Sequence, residues 1–553
     1  MNFKKLFAAS LAAAMLVGCG SSSSAAPEAS TDGGTASSGA SDVIELELLF
    51  EDSEASKAVA ENLQQMFETN CPGLKVTLNS VPKKTRLDMM KSQQYELGLT
   101  RWGPDYADPQ TYMDLFLSTN VANNQGRYNS AQYDELVLKG TTGADATDSA
   151  ARWADFVEAE RIMVAEDYAV IPIYQNGGAM MINPDVSNIN FHSACVDDYR
   201  HIYKNGGDEV VVQFDADLST MDHHIATDGN SFIMQSMCYS GLTSLDADGA
   251  PVPELATSWD ISDDGLVYTF HLAEGATWSN GTPVTANDFV YGWRRLDDPE
   301  LASEYAFILD TIHVVNAAEV NEGSVPAEEL GVKAIDDKTF EVTLTLPCDF
   351  LLGLMAFPSF FPLNQEYFES QGDQFSLSPD NMIFCGPYNM TERQDGNSYT
   401  FTKRADYFNQ DDKAVESVVF RLQQDTQSAL LEYQSGNFDV VKLQGEQVDL
   451  YKDEPGFTNR LTGYLWYLPI NFTVDKLQNL NLRKALAYAI DREAIAKDVL
   501  KDGSIAADGE IPVDLATGPD GKDFRETAGK LTEYDPAKAA EFYAAAVKEL
   551  SGN

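Results

Sequence analysis

Residues 43–78 read VIELELLFEDSEASKAVAENLQQMFETNCPGLKVTL, and the periodicity of this stretch changes twice. Residues 43–50 are rich in branched apolar side chains, as expected of a strand. From Val59 to Phe67 the apolar residues recur at helical spacing, and the Cys-Pro-Gly triplet at 71–73 ends that helix. Alternation from Leu74 to Leu78 is typical of a second strand. The stretch therefore predicts a β-α-β unit.

The same alternation of strands and helices continues to the end of the chain. Further strands are predicted at 169–174, 209–214, 267–272, 339–344, 399–403, 415–422 and 464–471. Helices are predicted at 285–296, 482–500 and 536–550. Thr285 and Asp288 have the spacing of a capping box, and Asp535-Pro536 is typical of a helix start. We predict an α/β fold class with mixed sheets.

Length and charge exclude several classes of protein. The chain has 553 residues, of which 44% are hydrophobic, so three or four domains of ~150 residues with a large core are expected. There are 86 acidic and 38 basic residues, which gives a net charge of −48. Such a charge repels phosphate backbones, so a nucleic-acid partner is not expected.

The first 42 residues are typical of a secretion signal followed by a tether. Residues 1–19 read MNFKKLFAASLAAAMLVGC, a basic start and an apolar run too short to span a membrane. The ending Leu16-Val17-Gly18-Cys19 resembles the bacterial lipoprotein box, which implies cleavage after residue 18 and a lipid on Cys19. The alternative is an ordinary signal with an incidental cysteine. Residues 20–42 lack large apolar side chains and are predicted to be a flexible tether, so the body is expected outside the cytoplasm.

No catalytic, cofactor or metal motif is found in the chain. The patterns GxSxG, HExxH, GxGxxG and the P-loop are all absent. Only two of the six histidines are adjacent, and a shared metal is not predicted for them. The five cysteines after Cys19 contain no CxxC pair, so mostly free, buried thiols are expected. We therefore predict neither an enzyme nor a cofactor.

One cluster is unusual in composition. Residues 101–109 read RWGPDYADP, with two aromatic side chains, two prolines, one glycine and two carboxylates. The Gly103-Pro104 break prevents a regular element and leaves backbone groups and Asp105 available to a ligand. The alternative is a surface turn with a half-buried tryptophan.

Several longer segments share one resemblance. They are Tyr239-Ser-Gly-Leu-Thr, PELATSW at 253–259, SDDGLVYTF at 262–270, WSNGTPVTANDFVY at 278–291, Cys385-Gly-Pro-Tyr and RKALAYAIDR at 483–492, together with the 101–109 cluster. These segments resemble the oligopeptide-binding proteins of bacterial ABC importers, in extracellular solute-binding protein family 5. The resemblance covers nearly all of residues 43–553.

The order of these segments differs from that of the family. The tryptophan-aspartate segment lies near the C-terminus in the family, whereas here residues 43 to about 204 precede the segments that normally open the chain. The chain therefore resembles a circular permutation, with Tyr203-Lys-Asn-Gly-Gly-Asp208 as the splice. We expect Val43 and Ser551 to lie within ~20 Å of each other, about six extended residues.

The resemblance implies a two-lobed, type II periplasmic-binding-protein-like fold with an extra inserted α/β domain. Two crossing segments, expected near 169–173 and 418–422, would join lobes that close on a ligand by hinge motion. The implied division is signal 1–18, tether 19–42, lobe II 43–170 and 419–553, lobe I 171–231 and 347–418, and inserted domain 232–346.

The resemblance also implies the site residues. Asp105 should bind the α-ammonium of an extended peptide held by main-chain hydrogen bonds between the lobes. The other candidates are backbone groups of Trp102, Gly103 and Pro104, the neighbours Arg101 and Tyr106, the side chain of Asn123, the edge Thr227-Asp228-Gly229 and the lining residue Tyr305. Where some relatives carry a tryptophan and two arginines, this chain has Lys83, Met90 and Leu99, so Lys83 or Arg101 would have to supply the charge for the peptide carboxylate.

These features together predict a lipid-anchored, monomeric binding protein that passes oligopeptides to the permease subunits of an ABC transporter. Two alternatives stay open at this point. One is a peptide receptor that does not transport, and the other is a binding protein for another small solute, such as a metal chelate. A hydrolase is disfavoured because no nucleophile and base pair is found.

Overall fold

The first strand, helix and second strand form the predicted β-α-β unit. The computed structural model of this protein describes residues 43–194, 196–411 and 413–552. Strand β1 (Ile44–Glu51) pairs in parallel with β2 (Leu74–Val81), and α1 (Glu54–Asn70) connects them. Ser53 caps the helix by accepting a hydrogen bond from the Ser56 N–H at 3.2 Å. Gly73, with φ of 104°, supplies the turn back into β2.

The remaining elements alternate through the rest of the chain. The strands are β3 Leu97–Gly98, β4 Thr100–Trp102, β5 Val170–Gly177, β6 Met180–Ile182, β7 Val186–Ser187, β8 Tyr203–Lys204, β9 Glu209–Phe214, β10 Thr243–Leu245, β11 Pro251–Pro253, β12 Ala256–Ile261, β13 Val267–Leu272, β14 Val332–Asp336, β15 Thr339–Thr343, β16 Tyr388–Gln394, β17 Ser398–Lys403, β18 Ser417–Leu422, β19 Val440–Lys442, β20 Phe457–Thr458, β21 Leu461–Pro469 and β22 Ile505–Ala506.

The helices are α2 Lys83–Lys91, α3 Gln110–Met113, α4 Ala131–Thr141, α5 Ser149–Arg161, α6 Gly229–Cys238, α7 Ala286–Leu296, α8 Phe307–Thr311, α9 Ala317–Asn321, α10 Leu351–Leu354, α11 Gln365–Gln371, α12 Thr426–Gln434, α13 Glu446–Tyr451, α14 Leu480–Tyr488, α15 Arg492–Ala494, α16 Phe524–Ala528 and α17 Pro536–Leu550. Short 3₁₀ turns and two π-helical turns, Ile162–Glu166 and Ile495–Leu500, complete the list.

Two sheets form lobe II. One has the order β2-β1-β3, and the other has the order β22-β5-β21-β4. Helices α1, α14 and α17 bury their apolar faces on the first sheet, with Phe67, Leu486 and Tyr543 in a shared core. A second core contains Phe156 of α5 and Phe524 of α16, together with apolar residues at 112–117 that follow β4 in the chain. The cluster at 101–109 begins within β4 and continues as the turn that leads to α3 of the same lobe.

Lobe I is built on a seven-stranded sheet of order β16-β17-β18-β9-β19-β6-β20. The antiparallel sheet β12-β13-β15-β14 lies within the predicted insertion at 232–346. Both sheets contribute to one continuous core, in which Trp278 and Phe340 belong to the insertion and Phe420 to lobe I. The insertion is therefore packed onto lobe I and shares its core.

The crossings between the lobes were wrongly predicted. Strand β5 stays in the sheet of lobe II through Gly177, while β18 pairs in parallel with β9 inside lobe I. The chain crosses at 177–180, between β5 and β6, and returns at 458–461, between β20 and β21. The two crossings are adjacent, because the Gly178 N–H donates to the Arg460 carbonyl at 2.7 Å. The boundaries at 170 and 418 therefore fall too early; the remaining boundaries stay predictions.

Local start signals were more reliable than helix lengths. The Thr285 N–H donates to Asp288 Oδ2 at 2.8 Å, as the capping box requires, and Asp535 caps α17. The predicted helix 482–500 is instead interrupted: α14 ends at Tyr488, and Asp491 caps a new start at α15. Apolar spacing continues across this break, so periodicity alone did not show it.

The first strand and the last helix are in contact. The Ile44 N–H donates to Tyr543 Oη at 3.3 Å, and Ser551 follows α17 directly. This contact is what the predicted relinking of tail to head requires, and the permutation itself stays a prediction.

The predicted signal, tether and lipid-bearing Cys19 lie outside the described residues, as does Cys195. Cys71, Cys238, Cys348 and Cys385 are buried and free, which confirms the expectation for these four thiols. Within the described ranges, the helices are all too short or too polar to cross a membrane.

Candidate ligand-binding site

The site is built around the chain segment that leaves β4. Strand β4 pairs antiparallel with β21, with Trp102 opposite Leu465. The chain then turns at Gly103, where a Cβ atom would lie 2.3 Å from the ring of Tyr464. Only glycine allows this close approach of backbone to ring. Trp102 is half-buried, its carbonyl accepts from Tyr112 Oη at 3.1 Å, and its Nε1 has no hydrogen-bond partner among the described residues.

Asp105 is a buried carboxylate that pairs with none of the basic side chains in the described ranges. It is 6% exposed, and Tyr305 Oη donates to its Oδ1 at 2.9 Å. In the described part of the chain, no basic side chain lies within 4.0 Å of it. Burial raises the pKa of Asp105 to about 7, and the hydrogen bond from Tyr305 opposes this rise. The site therefore holds a negative group whose charge is not compensated.

The partner of Asp105 comes from the inserted domain on the lobe I side. Tyr305 is 9% exposed, and its ring packs against Phe232 and Phe357 at centroid distances of 5.5 Å. Its hydrogen bond to Asp105 joins residues 200 positions apart. Close by, Lys91 of lobe II pairs with Glu304 at 2.8 Å. These contacts bring the lobes together at the carboxylate.

Other members of the cluster have structural contacts. Tyr106 is buried, with its ring stacked on Phe350 at 4.3 Å, so the side chain is part of the core. Asp108 accepts two hydrogen bonds from Arg152, at 2.7 and 2.8 Å. Pro104 is buried against Gly463, whose Cβ position would be 2.5 Å from the proline ring. The cluster is thus a packed turn in which Asp108 is paired with Arg152, whereas Asp105 accepts a hydrogen bond from Tyr305.

The segment 227–229, for which the resemblance implies pairing with the peptide, is not part of a strand in the free protein. It is the start of α6, and Asp228 is its N-cap. Asp228 Oδ1 accepts from the Ser231 N–H at 3.0 Å, and its Oδ2 accepts from the hydroxyls of Ser219 and Ser231. The local reason is that an aspartate before Gly-Asn-Ser forms a strong helix start. Gly229 still borders the site, since a Cβ there would lie 3.0 Å from Tyr464 Oη.

Asn123 lies in a turn of lobe II. Its N–H donates to Asn120 Oδ1 at 3.2 Å, and its carbonyl accepts from the Gln125 N–H at 2.7 Å. In the described structure it makes no hydrogen bond with Asp105 or Tyr305. The structure does not bring Asn123 together with the other candidates through a direct contact.

Tyr464 is a site residue that the sequence reasoning missed. It is 39% exposed although it lies between Gly103 of lobe II and Gly229 near lobe I. The guanidinium of Arg101 lies 5.5 Å from its ring centroid and 5.0 Å from that of Trp466. The spacing Tyr464-x-Trp466 puts two aromatic side chains on one face of a predicted strand, which was the available signal.

The three residues that depart from the family have different environments. Met90 and Leu99 are fully buried and belong to the core. Lys83 is exposed at the start of α2, yet protein surrounds it closely enough that burial lowers its pKa. Arg86, one turn later, is buried and paired with Glu51 at 3.4 Å.

Comparison with known proteins identifies the protein family to which this chain is similar. The model of the bacterial extracellular solute-binding proteins, family 5 Middle, matches residues 30–124 and 250–553. The dipeptide-binding protein DppE of Bacillus subtilis (strain 168) is 31% identical over 351 residues, which are 63% of this chain and 64% of DppE. The match thus spans less than two thirds of that relative.

Solved structures agree with this result. Listeria monocytogenes OppA bound to peptide has a TM-score of 0.55 at 32% identity, over 63% of this chain and 70% of OppA. The pheromone receptor PrgZ, described with its mode of peptide binding, has a TM-score of 0.57 at 28% identity, over 63% of this chain and 69% of PrgZ. The two stretches matched by the family model cover more than half of the chain, and this chain therefore belongs to the bacterial extracellular solute-binding proteins, family 5.

Proposed function

We propose that this protein captures oligopeptides between its two lobes and delivers them to the permease of an ABC transporter. The observation that carries the proposal is Asp105, a carboxylate that is 6% exposed, accepts a hydrogen bond from Tyr305 of the opposite lobe and has no basic side chain within 4.0 Å among the described residues. An unpaired buried charge is costly, and the α-ammonium of a peptide would compensate it. Relatives named for binding dipeptides and structures solved with peptide support this class of ligand.

In this proposal the peptide lies along the turn that follows β4. Trp102, Gly103 and Pro104 offer backbone groups, and Tyr305 covers the ammonium site from the opposite lobe. The closed contact between Tyr305 and Asp105 would have to open to admit a ligand, which fits hinge motion about the adjacent crossings at 177–180 and 458–461.

Further contacts of the peptide are proposed around Tyr464. Arg101 lies beside the ring of Tyr464, as does Gly229 of the segment Thr227-Asp228-Gly229. Tyr106 would contribute through its backbone, because its ring is packed on Phe350. Asn123 stays a candidate from the resemblance to the family.

We also propose that Cys19 carries a lipid that holds a monomeric protein at the outer face of the membrane. The support is the order of residues from Lys4 to Cys19. Metabolic labelling with a radioactive fatty acid should mark the protein, and a Cys19→Ser change should abolish the label. A labelled variant would contradict the lipid site.

A peptide receptor that does not transport is the second candidate, because one structural neighbour is a pheromone receptor. Uptake of a labelled peptide by cells with and without this protein separates the two roles. Uptake that depends on the protein supports transport, and binding without uptake supports a receptor.

The peptide site is tested by removing the charge of Asp105. Mass spectrometry of the purified protein should first identify co-purified peptides, and calorimetry should measure their affinity. Asp105→Ala should weaken binding by ~2–5 kcal/mol, because the ammonium would lose its partner. Asp52→Ala, at an exposed acid of the same lobe, is the matched control and should leave affinity unchanged. Equal affinity of the Asp105→Ala variant and the natural protein would reject Asp105 as the anchor.

A further inference from the structure

A second cavity lies in lobe II, apart from the cleft between the lobes. Its volume is about 250 Å³, which is room for about eight water molecules at ~30 Å³ each. Its walls come from the π-helical turn Ile162–Glu166, the start of β5, the break between α14 and α15, and residues 530–533. It borders β5 at 170–172, about 17 Å along the strand from Gly177, where the chain crosses to lobe I. The residues proposed for the peptide site are not among those that line this cavity.

The walls of this cavity are fixed by the fold. Residues 530–533 form one wall, and the Leu531 N–H ties it to the residues that follow β22 by donating to the Asp508 carbonyl at 2.7 Å. Two further lining residues are aromatic: Tyr168 and Tyr488 lie with their hydroxyl oxygens 3.4 Å apart. The cavity is therefore a preformed space with both polar and flat apolar surface in its walls.

Arg492 lines the cavity and is a buried cation without an acidic partner. It is 6% exposed, and burial lowers its pKa to about 10, so the guanidinium is still charged at neutral pH. Its Nε donates to the Pro172 carbonyl at 2.6 Å, and its Nη1 donates to the Ala487 and Ile490 carbonyls, both at 3.3 Å. In the described structure its Nη2 makes no hydrogen bond, and no carboxylate oxygen lies within 4.0 Å of the guanidinium. Three carbonyls thus hold the group in place and leave one nitrogen for a ligand.

The acids around Arg492 are already engaged elsewhere. Asp491 is the N-cap of α15 and accepts a hydrogen bond from that helix. Asp508 and Glu533 each pair with a lysine, at 2.7 and 2.8 Å. A buried charge without a counter-ion is costly, and an anion bound in the cavity would compensate it. In a chain with a net charge of −48, this uncompensated cation points to an anionic ligand.

We infer that this cavity is a second binding site, for a small organic carboxylate with a flat apolar body. The carboxylate would accept from Nη2 of Arg492, since a guanidinium matches a carboxylate in charge and in planar geometry. The rings of Tyr168 and Tyr488 would cover the apolar body, and Lys530, an exposed lining residue, would add a second positive charge. The site belongs to lobe II alone, so the inference does not rest on the proposed peptide-binding function.

The test compares benzoate with benzamide, because both have the same shape and about nine non-hydrogen atoms but only benzoate is charged. Calorimetry with the purified protein should give a Kd for benzoate of ~1 mM or tighter, and binding of benzamide should be at least tenfold weaker. Equal binding of the two, or no saturable binding of benzoate, would overturn the inference, and this comparison requires no variant to fold. Tighter binding of inorganic phosphate than of benzoate would also overturn it, because the aromatic walls would then not contribute.

The place of binding is tested by filling the cavity. Ala165→Phe puts a ring into the space without removing a hydrogen-bonding side chain, and it should weaken benzoate binding at least tenfold. Ala131→Phe, at an exposed alanine of α4, is the matched control and should leave the affinity unchanged. Thermal unfolding checks that both variants are folded.

A second variant keeps the test decisive if Ala165→Phe does not fold. Lys530→Glu reverses a charge on an exposed lining residue and should weaken benzoate binding at least fivefold. Lys522→Glu is its control, since both lysines are exposed and each pairs with one aspartate. Unchanged benzoate affinity in either folded variant, Ala165→Phe or Lys530→Glu, would place the ligand elsewhere and overturn the inference.

Discussion

At the scale of single residues, Asp105 and Asp108 show how neighbours decide the use of a carboxylate. Both are buried and lie three positions apart, but Asp108 is held by the guanidinium of Arg152, whereas the side chain of Asp105 is bonded, among the described residues, by the phenol of Tyr305 alone. A paired carboxylate stabilises its loop, and an unpaired one is available to a ligand. The raised pKa of Asp105, about 7, is the measurable sign of this difference.

The pKa of Asp105 predicts how stability depends on pH. The pKa of this carboxyl is about 7 in the folded protein and near its ordinary value of 3.8 in the unfolded chain, so the folded state holds an extra proton between these pH values. The contribution of Asp105 to the free energy of unfolding therefore falls as pH rises from about 4 to 7. Asp105→Asn should raise the stability by about 2–4 kcal/mol at pH 8 and by almost nothing at pH 4. Denaturant titration at both pH values checks this, and an equal effect at both would contradict it.

Peptide affinity should move in the opposite direction with pH. The ammonium needs an ionised carboxylate, so affinity should fall by up to ~1.4 kcal/mol per unit below pH 7. Calorimetry from pH 5 to 8 measures this slope, and the Asp105→Asn variant, which cannot titrate there, is the control. A slope that persists in the variant would assign the titration to another group.

At the scale of elements, the two crossings between the lobes lie side by side, and Gly177 is packed tightly where the first of them begins. Gly177 ends β5 and is packed against the segment before β22: a Cβ there would lie 2.2 Å from the Gly503 carbonyl carbon and 2.3 Å from the Ser504 nitrogen. The Gly177 N–H also donates to Ser504 Oγ at 2.9 Å. The first crossing therefore begins in a gap between backbone atoms that is too narrow for any side chain at position 177.

Gly177→Ala should destabilise the protein by about 1–3 kcal/mol, because the added methyl group must displace backbone. Thermal unfolding measures this loss. Gly353→Ala is the matched control, since a Cβ at Gly353 has no neighbour within 4 Å and the residue lies in the short helix α10. That change should be neutral or slightly stabilising. Equal effects of the two substitutions would show that the crossing tolerates a side chain.

At the scale of the whole molecule, residues 43–553 form one compact unit whose first strand contacts its last helix. Tyr543 lies eight residues before Ser551, about 12 Å along a helix, so a flexible linker of ~10 residues can join the two ends. Gly206, with φ of 72° and free space around it, lies in the proposed splice at 203–208. Exposed turns of this kind tolerate new chain ends.

The proposed permutation predicts that the chain can be relinked. A variant that joins Ser551 to Val43 through ten Gly/Ser residues and opens the chain at Gly206 should fold and bind peptide within ~3-fold of the natural protein. Circular dichroism and calorimetry provide the two measurements. A control opened inside β9, at Val211, should not fold, because that strand is central in the sheet of lobe I. Failure of the Gly206 variant to fold would contradict the proposal that this chain is a circular permutation of the family's usual chain order.

Signals between residues close in the chain were sufficient for the α/β class, for the first β-α-β unit and for the starts of α7 and α17. Caps and periodicity act over about four residues, so they can be recognised in any sequence that contains them. The motifs shared with the family likewise predicted Asp105 as a site residue. Neither signal located the crossings, the break after Tyr488 or the role of Tyr464.

Those features depend on contacts between distant parts of the chain. Tyr305 reaches Asp105 across 200 positions, and Arg101 meets Tyr464 only because β4 pairs with β21. The elements that surround a carboxylate or a guanidinium after folding decide whether it is paired, exposed or isolated. Burial and charge act through space and not along the chain. The binding chemistry of this protein was therefore suggested by its residues, but the folded arrangement of its lobes decides which charges stay free for a ligand.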